Sequence, residues 1–282
     1  MWDAAAAARY EAWYKSPRGS FALAREQRLI ADVVSPWQRR NQTLLEIGCG
    51  AGHFLEQFYH GGFDVTGIDS SEPMLERARD RMGNKATLRL GPASHLPFDD
   101  DEFDYVAMVT ALECMDDPKD ALEEAFRVAK RGVVIAYLNA WSLYGLEQKY
   151  KYLRLFLQEK AAKKKVKDAG YSLPESERKR ILQQARWLNI LEICRMIRKA
   201  SGKFPDVYRS TLFSPSFLWR GNKPFSLSWW HLLPFGAVSV VRVDLQPVSP
   251  TTMTIRTPNV ARATGVSAGV VTMDRYPKSK EK

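Results

Sequence analysis

Cysteine is scarce in this chain, and its placement excludes two classes at once. Cys49, Cys114 and Cys194 are far apart and form no C-x-x-C pair. Neither a disulfide framework nor a thiolate zinc site is expected, and a reducing, cytoplasmic setting is the default. Histidine is equally thin. His53, His60, His95 and His231 share no ligand spacing, so each reads as structural or exposed and no metal is expected. The acidic run Asp99–Glu102 lacks the central glycine of a calcium loop and reads as a solvated turn. No apolar run approaches the ~18 residues of a membrane-spanning helix. Met1-Trp2-Asp3 and five alanines make no basic start for a secretory signal. No internal repeat is present.

Charge is present in excess of one sign, but only locally. The net charge is +10, and residues 142–204 alone hold 16 Lys and Arg against 6 Asp and Glu. The remainder is neutral in sum. A basic segment, rather than a basic protein, is what any partner would meet. Lys160, Lys163, Lys164, Lys165 and Lys167 read first as a solvated helix face. Trp219, Trp229 and Trp230 read as packing residues rather than a membrane anchor.

The pattern along the chain changes near residue 40. Before it lie two helical stretches, 4–15 and 21–35, separated by a break at Ser16–Ser20. Then strand and helix alternate. Strands are predicted at 43–47, 64–69, 86–90, 103–109 and 133–138, with helices at 52–60, from Pro73 to about Met82, and at 118–130. Asp116-Asp117 before Pro118 reads as a helix cap. Such alternation predicts a parallel sheet covered by helices on both faces. Residues 142–204 are helical in pattern, with Leu143, Leu146, Tyr150, Leu153 and Leu157 as a stripe and a second helix at about 175–200. A strand returns at 237–245. The expected organisation is an N-terminal helical lid (1–40), a cofactor-binding core (41–141), a basic helical cap (142–204), the end of the sheet (205–248) and a loose tail (249–282).

The stretch that carries chemistry is Glu46-Ile47-Gly48-Cys49-Gly50-Ala51-Gly52. A strand that turns into a helix through three glycines lets a ligand approach the backbone. Asp69, ending the next strand, offers a carboxylate to the two hydroxyls of a ribose. The glycine spacing then selects among cofactors. A dinucleotide loop needs a glycine at 53, where the chain has His53. Glu46 would repel a pyrophosphate and suits a cofactor with an ammonium and a sulfonium. Cys49, inside the loop, reads as a small packing residue.

These residues, followed by Leu96-Pro97-Phe98 before the fourth strand, resemble a class I S-adenosylmethionine (SAM)-dependent methyltransferase. The small-molecule group similar to ubiquinone- and menaquinone-biosynthesis enzymes is the nearest likeness. It covers about residues 40–140 and weakly reaches Tyr10–Tyr14, Asn139–Leu143 and Leu233–Ala237. The resemblance implies a Rossmann-like α/β fold with a mostly parallel seven-stranded sheet and a helical insertion. It implies that Glu46, Gly48, Cys49, Gly50 and Gly52 face the methionine part of SAM and that Asp69 holds the ribose. Ser70 and Met74 would flank the adenine, Ala93 and Ser94 would lie at its edge, and Thr110 and Leu112 would line the methyl-transfer face. Pro92 stands where the family often has an acid, so the adenine amine contact falls to neighbouring backbone or to Ser94.

The function this implies is methyl transfer to a small-molecule or lipid-like acceptor, anionic or held at a membrane surface, by a cytoplasmic enzyme. An RNA or protein methyltransferase using the basic insertion is the alternative. Thr110-Ala111-Leu112-Glu113 after the fourth strand lacks the Asn/Asp-Pro-Pro-aromatic motif of many amino-directed nucleic-acid enzymes, and no RNA-binding module is recognisable. A SAM-binding protein without turnover is a third reading. Glu113 reads as a surface or cap contact ahead of a general base, and the sequence names no other base.

Overall fold

The computed structural model describes residues 2–142, 145, 146, 150, 187–211 and 236–248. Helices α1 (Ala4–Lys15) and α2 (Pro17–Val33) come first. They are followed by β1 (Thr43–Ile47), α3 (His53–His60), β2 (Asp64–Asp69) and α4 (Glu72–Met82). Then come β3 (Ala86–Leu90), β4 (Phe103–Val109), α5 (Pro118–Arg127) and β5 (Ala129–Leu138). Helix α6 (Ile190–Ser201), β6 (Val207–Thr211) and β7 (Val238–Asp244) complete the described elements.

One seven-stranded sheet has the order β3-β2-β1-β4-β5-β7-β6. The pairs among β1 to β5 are parallel, and β7 is antiparallel to both β5 and β6. The strand order reverses direction between β1 and β4. That is the switch point where open α/β sheets take their ligands, beyond the C-terminal strand ends.

Strand alternation divides the core. Leu45, Ile47, Val106, Met108, Val133 and Ile135 point to one face, where α5 and α6 cover them through Leu122, Phe126, Ile193 and Ile197. Leu44, Tyr105, Ala107, Val134 and Ala136 point to the other, under Leu29, Ile30 and Val33 of α2 and Phe54 and Phe58 of α3. By the same alternation Glu46 lies on the face of Leu44, the α2 side.

The structure corrects the predicted boundaries in three places. The break between α1 and α2 is one residue long. Ser16 caps both helices: its hydroxyl donates to the Trp13 carbonyl at 2.6 Å and accepts from the Gly19 amide at 3.1 Å. Pro17 then occupies the first helical turn, where its missing N–H costs nothing. Gly19 is needed for this junction, since a Cβ there would stand 2.0 Å from the Trp13 carbonyl oxygen. Second, α5 ends at Arg127 and β5 starts at Ala129, four residues before the predicted strand, because Ala129 pairs with Phe103 across a register shift. Third, the helix predicted at about 175–200 starts, among the described residues, only at Ile190. Asn189 and Glu192 form a capping box there, and Leu188 is tied to Leu138 and Ala140 by backbone hydrogen bonds. Most of the predicted cap, including Leu143, Leu153, Leu157 and the lysine cluster, lies outside the described residues, as do Trp219, Trp229, Trp230, His231 and the tail.

Candidate functional site

The glycine loop leaves β1 and folds back on β2. The Gly48 and Cys49 amides donate to the Ile68 carbonyl at 2.8 and 3.1 Å. The Asp69 carboxylate accepts from the Gly50 amide and from the Ser71 amide, each at 2.8 Å. Gly48, Gly50 and Gly52 all have positive φ, at 72°, 51° and 79°. Two of them are further constrained by space. A Cβ on Gly48 would meet the Ala111 side chain at 2.6 Å, and one on Gly52 would meet Ala78 at 3.3 Å. Gly50 differs: a Cβ there would meet nothing within 4 Å. The loop is therefore packed on both flanks and open at its centre, the space a ligand needs.

Helix α1 lies against this opening. Ala7 and Tyr10 pack with Ala51 of the loop and Met74 of α4. The Ser71 hydroxyl donates to the Trp2 carbonyl at 2.8 Å. Glu11 reaches the His53 ring at 2.9 Å and Arg81 at 3.1 Å, and the Arg81 guanidinium also donates to the Ala51 carbonyl at 2.8 Å. His53 is thus structural, held below the usual imidazole range by burial and by the Arg81 charge.

Of the remaining predicted positions, Cys49 is buried against Gly67 and its thiol is pushed up by burial and by Glu46. Ser70 is exposed beside Asp69, whereas Met74 is buried. The Gly91 amide is tied to the Asp69 carbonyl, which brings the turn holding half-buried Ala93 and exposed Ser94 to the end of β2. Thr110 has a positive φ of 47°, an uncommon conformation for a threonine, at the end of β4. Leu112 is wholly buried and packs in the core on the α5–α6 face.

Acidity is the electrostatic theme. Burial raises Asp69, against the pull of the Ser71, Gly50 and Ser70 amides. Glu46 is raised well above the carboxylate range, first by burial and then by Asp69, and its Oε2 has no hydrogen-bond partner. A buried carboxylate oxygen without a donor, beside an open glycine turn, fits a ligand that carries positive charge. SAM has an ammonium and a sulfonium, and its ribose diol suits Asp69. The donor set fits the cofactor.

Two acids emerge that the sequence reading did not place here. Glu26 of α2 is buried and pushed up to about 8, by burial and then by the charge of Glu113. Glu113, read as a surface or cap contact, is instead buried, accepts the Leu138 amide, and is raised by burial to about 7. Both had a signal in the sequence. Glu26 falls on the apolar stripe of Ala22, Leu29, Ile30 and Val33, and Glu113 follows the fourth strand at the ligand end of the sheet.

Comparison with known proteins agrees with this geometry. Residues 45–137 match a methyltransferase domain family. A demethylmenaquinone methyltransferase of Staphylococcus aureus is 29% identical over 169 residues, covering 54% of this chain and 70% of the relative. A Thermotoga maritima SAM-dependent methyltransferase, described as a possible histamine N-methyltransferase, superposes with a TM-score of 0.58 at 24% identity, over 87% of this chain and 100% of its own. Phosphoethanolamine N-methyltransferase 2 of Haemonchus contortus, bound to SAM, gives 0.51 at 18% identity over 71% and 42%. These structures share the fold. With the matched domain, the strand order and an open glycine turn rimmed by Glu46 and Asp69, the chain carries a methyltransferase domain over residues 45–137 and is similar to class I SAM-dependent methyltransferases.

Proposed function

We propose that this enzyme transfers the methyl group of SAM to a small-molecule or lipid-like acceptor. The observation that carries the reading is the likeness to demethylmenaquinone methyltransferase, which runs over 70% of that relative's length and so extends beyond the common domain. The RNA or protein alternative is not favoured, since Thr110–Glu113 lacks the nucleic-acid motif.

SAM, when bound, supplies an activated methyl that leaves with no charged leaving group. The chain's residues do the rest. Glu46 and Asp69 receive the cationic and ribose parts, with Gly48, Cys49, Gly50 and Gly52 as the floor. Met74 and Ser70 stand on the adenine side, with Ala93 and Ser94 at its edge. Thr110, and Leu112 from behind, shape the end of β4 where the acceptor meets the methyl. Helices α1 and α2 act as a lid that excludes water, and the basic segment before α6 as a cap over the acceptor, α6 itself covering the sheet. Most of the rate then comes from alignment of nucleophile and methyl. No helix among the described residues is long and apolar enough to cross a membrane. We place the enzyme in the cytoplasm, reaching lipid-like acceptors at the membrane surface.

Metabolite profiling with methyl-labelled SAM tests this. The expected outcome is label in one small-molecule or lipid product. Label appearing only in RNA or protein would overturn the proposal.

A further inference from the structure

Glu26 and Glu113 are two buried acids, coupled through the charge of Glu113 on Glu26, that the binding of a cofactor at the glycine loop leaves unused. Each has a carboxylate oxygen, Oε2, that is sealed from solvent and has no hydrogen-bond partner. They come from different elements, α2 and the short 3-10 turn Leu112–Cys114, yet each lies next to the glycine loop. On one side, Gly48 packs on Ala111 and Met115, either side of that turn. On the other, Gln27, the neighbour of Glu26, donates to the His53 carbonyl at the start of α3. Glu113 is also fixed in place, because its other oxygen accepts the Leu138 amide at the end of β5.

Among the described residues, no cation acts on either acid. Glu26 feels the charge of Glu113, and the buried phenols of Tyr10 and Tyr14 on α1 feel Glu26 in turn. Cys114 and Tyr137 are the groups that feel Glu113. Arg81, Arg242 and His53, beside the loop and α2, are committed elsewhere. Arg81 is bound to Glu11 and the Ala51 carbonyl, and Arg242, on the strand that α2 packs against, is bound to Asp244 and the Val33 carbonyl. His53 is held by Glu11. Glu46 and Asp69 are further carboxyls on the loop side, both raised by burial.

Resting on the methyltransferase reading, we propose that Glu26 and Glu113 are a proton-accepting pair whose protonation follows the charge on the cofactor's sulfur. A sulfonium bound over the glycine loop would draw a proton off the pair and leave Glu113 as a base. During transfer the bond between methyl carbon and sulfur breaks and its electron pair stays on sulfur. The acceptor's lone pair forms the new bond to carbon, and the proton on that nucleophile passes to Glu113 Oε2. The sulfur is now neutral, so the pair holds the proton it has taken. The base is armed by the cofactor and spent by the reaction. The raised proton affinities of both acids, near 8 and near 7, put the pair in the range where an added positive charge changes its proton count at neutral pH.

Calorimetry with SAM and with S-adenosylhomocysteine, in two buffers of different ionisation enthalpy at pH 7.0, reads this without any acceptor. The ligands differ in the charge on sulfur. Wild type should release roughly half a proton or more per SAM bound, and clearly less per S-adenosylhomocysteine. Glu26→Gln and Glu113→Gln should each reduce that difference, and the double variant should abolish it. Equal release with both ligands in the wild type would overturn the proposal even if no variant folds, as would a difference that survives in the folded double variant. If the folded wild type bound no SAM at all, the methyltransferase reading itself would fall, and this inference with it.

Discussion

Asp69 shows how much one side chain can be asked to do. It latches the Gly50 and Ser71 amides and, in the proposed site, holds the ribose. Asp69→Ala should weaken SAM binding by about 1.5–3 kcal/mol, the scale of hydrogen bonds to a charged group. Unchanged affinity in a folded variant, measured by calorimetry, would remove Asp69 from the site. Glu26 makes a prediction of the opposite kind, about stability. Its carboxyl ionises near 8 when folded and near 4.5 in the unfolded chain. Below pH 4.5 both states keep the proton. As pH rises, the unfolded chain loses its proton first, so folding is penalised increasingly until pH passes about 8. Glu26→Gln removes that penalty. Its melting temperature should gain on the wild type from pH 5 to pH 8.5, and a pH-independent difference would contradict the buried acid. Asp69 was legible in the sequence because a strand-terminal acid after a glycine loop has a local pattern. Glu26 and Glu113 were not assembled, because their meeting depends on α2 folding over the sheet, which no local spacing encodes.

Between elements, the junction of α1 and α2 is the point most open to damage. Gly19→Ala drives a methyl into the Trp13 carbonyl, and backbone there has nowhere to yield. The helices must part, and α1 carries Ala7 and Tyr10 onto Ala51 and Met74. The variant should therefore melt at lower temperature and bind SAM more weakly. Loss of stability with intact SAM affinity would show that α1 does not cover the cofactor. The five parallel strands and the helices between them were readable, since each has its own period and its own cap. The α1–α2 break was read as five residues because Pro and Gly usually mark loops. Here the same residues serve a one-residue turn, with Pro17 starting a helix and Gly19 allowing close approach.

For the whole molecule, charge is divided along the chain: buried acids gather beside the glycine loop, and the excess of bases falls in residues 142–204. Lys163, Lys164 and Lys165 lie outside the described residues, and their proposed part is to draw an anionic acceptor. Changing all three to Gln should leave SAM affinity intact and raise the KM of the identified acceptor, more so at low salt. Full activity at every ionic strength would leave the cluster a solvated face. Among the described residues no group of His, Cys, Asp and Glu could hold a metal ion. Methyl transfer from a sulfonium needs no Lewis acid, so activity should persist in excess chelator, and loss with EDTA that a divalent ion restores would reveal a missed centre. The sheet's antiparallel end, β6 and β7, was only partly readable. Its strands meet across a long stretch of chain, so their pairing is a property of the folded molecule.

The ties that hold α1 down have a kinetic side. Trp2 on Ser71, and Glu11 on His53 and Arg81, pin α1 beside the glycine loop. A spent cofactor has to wait for them to part. We propose that opening of this helix, rather than methyl transfer, sets the turnover rate. Loosening it with Glu11→Gln should shorten the lifetime of bound S-adenosylhomocysteine and ease product inhibition.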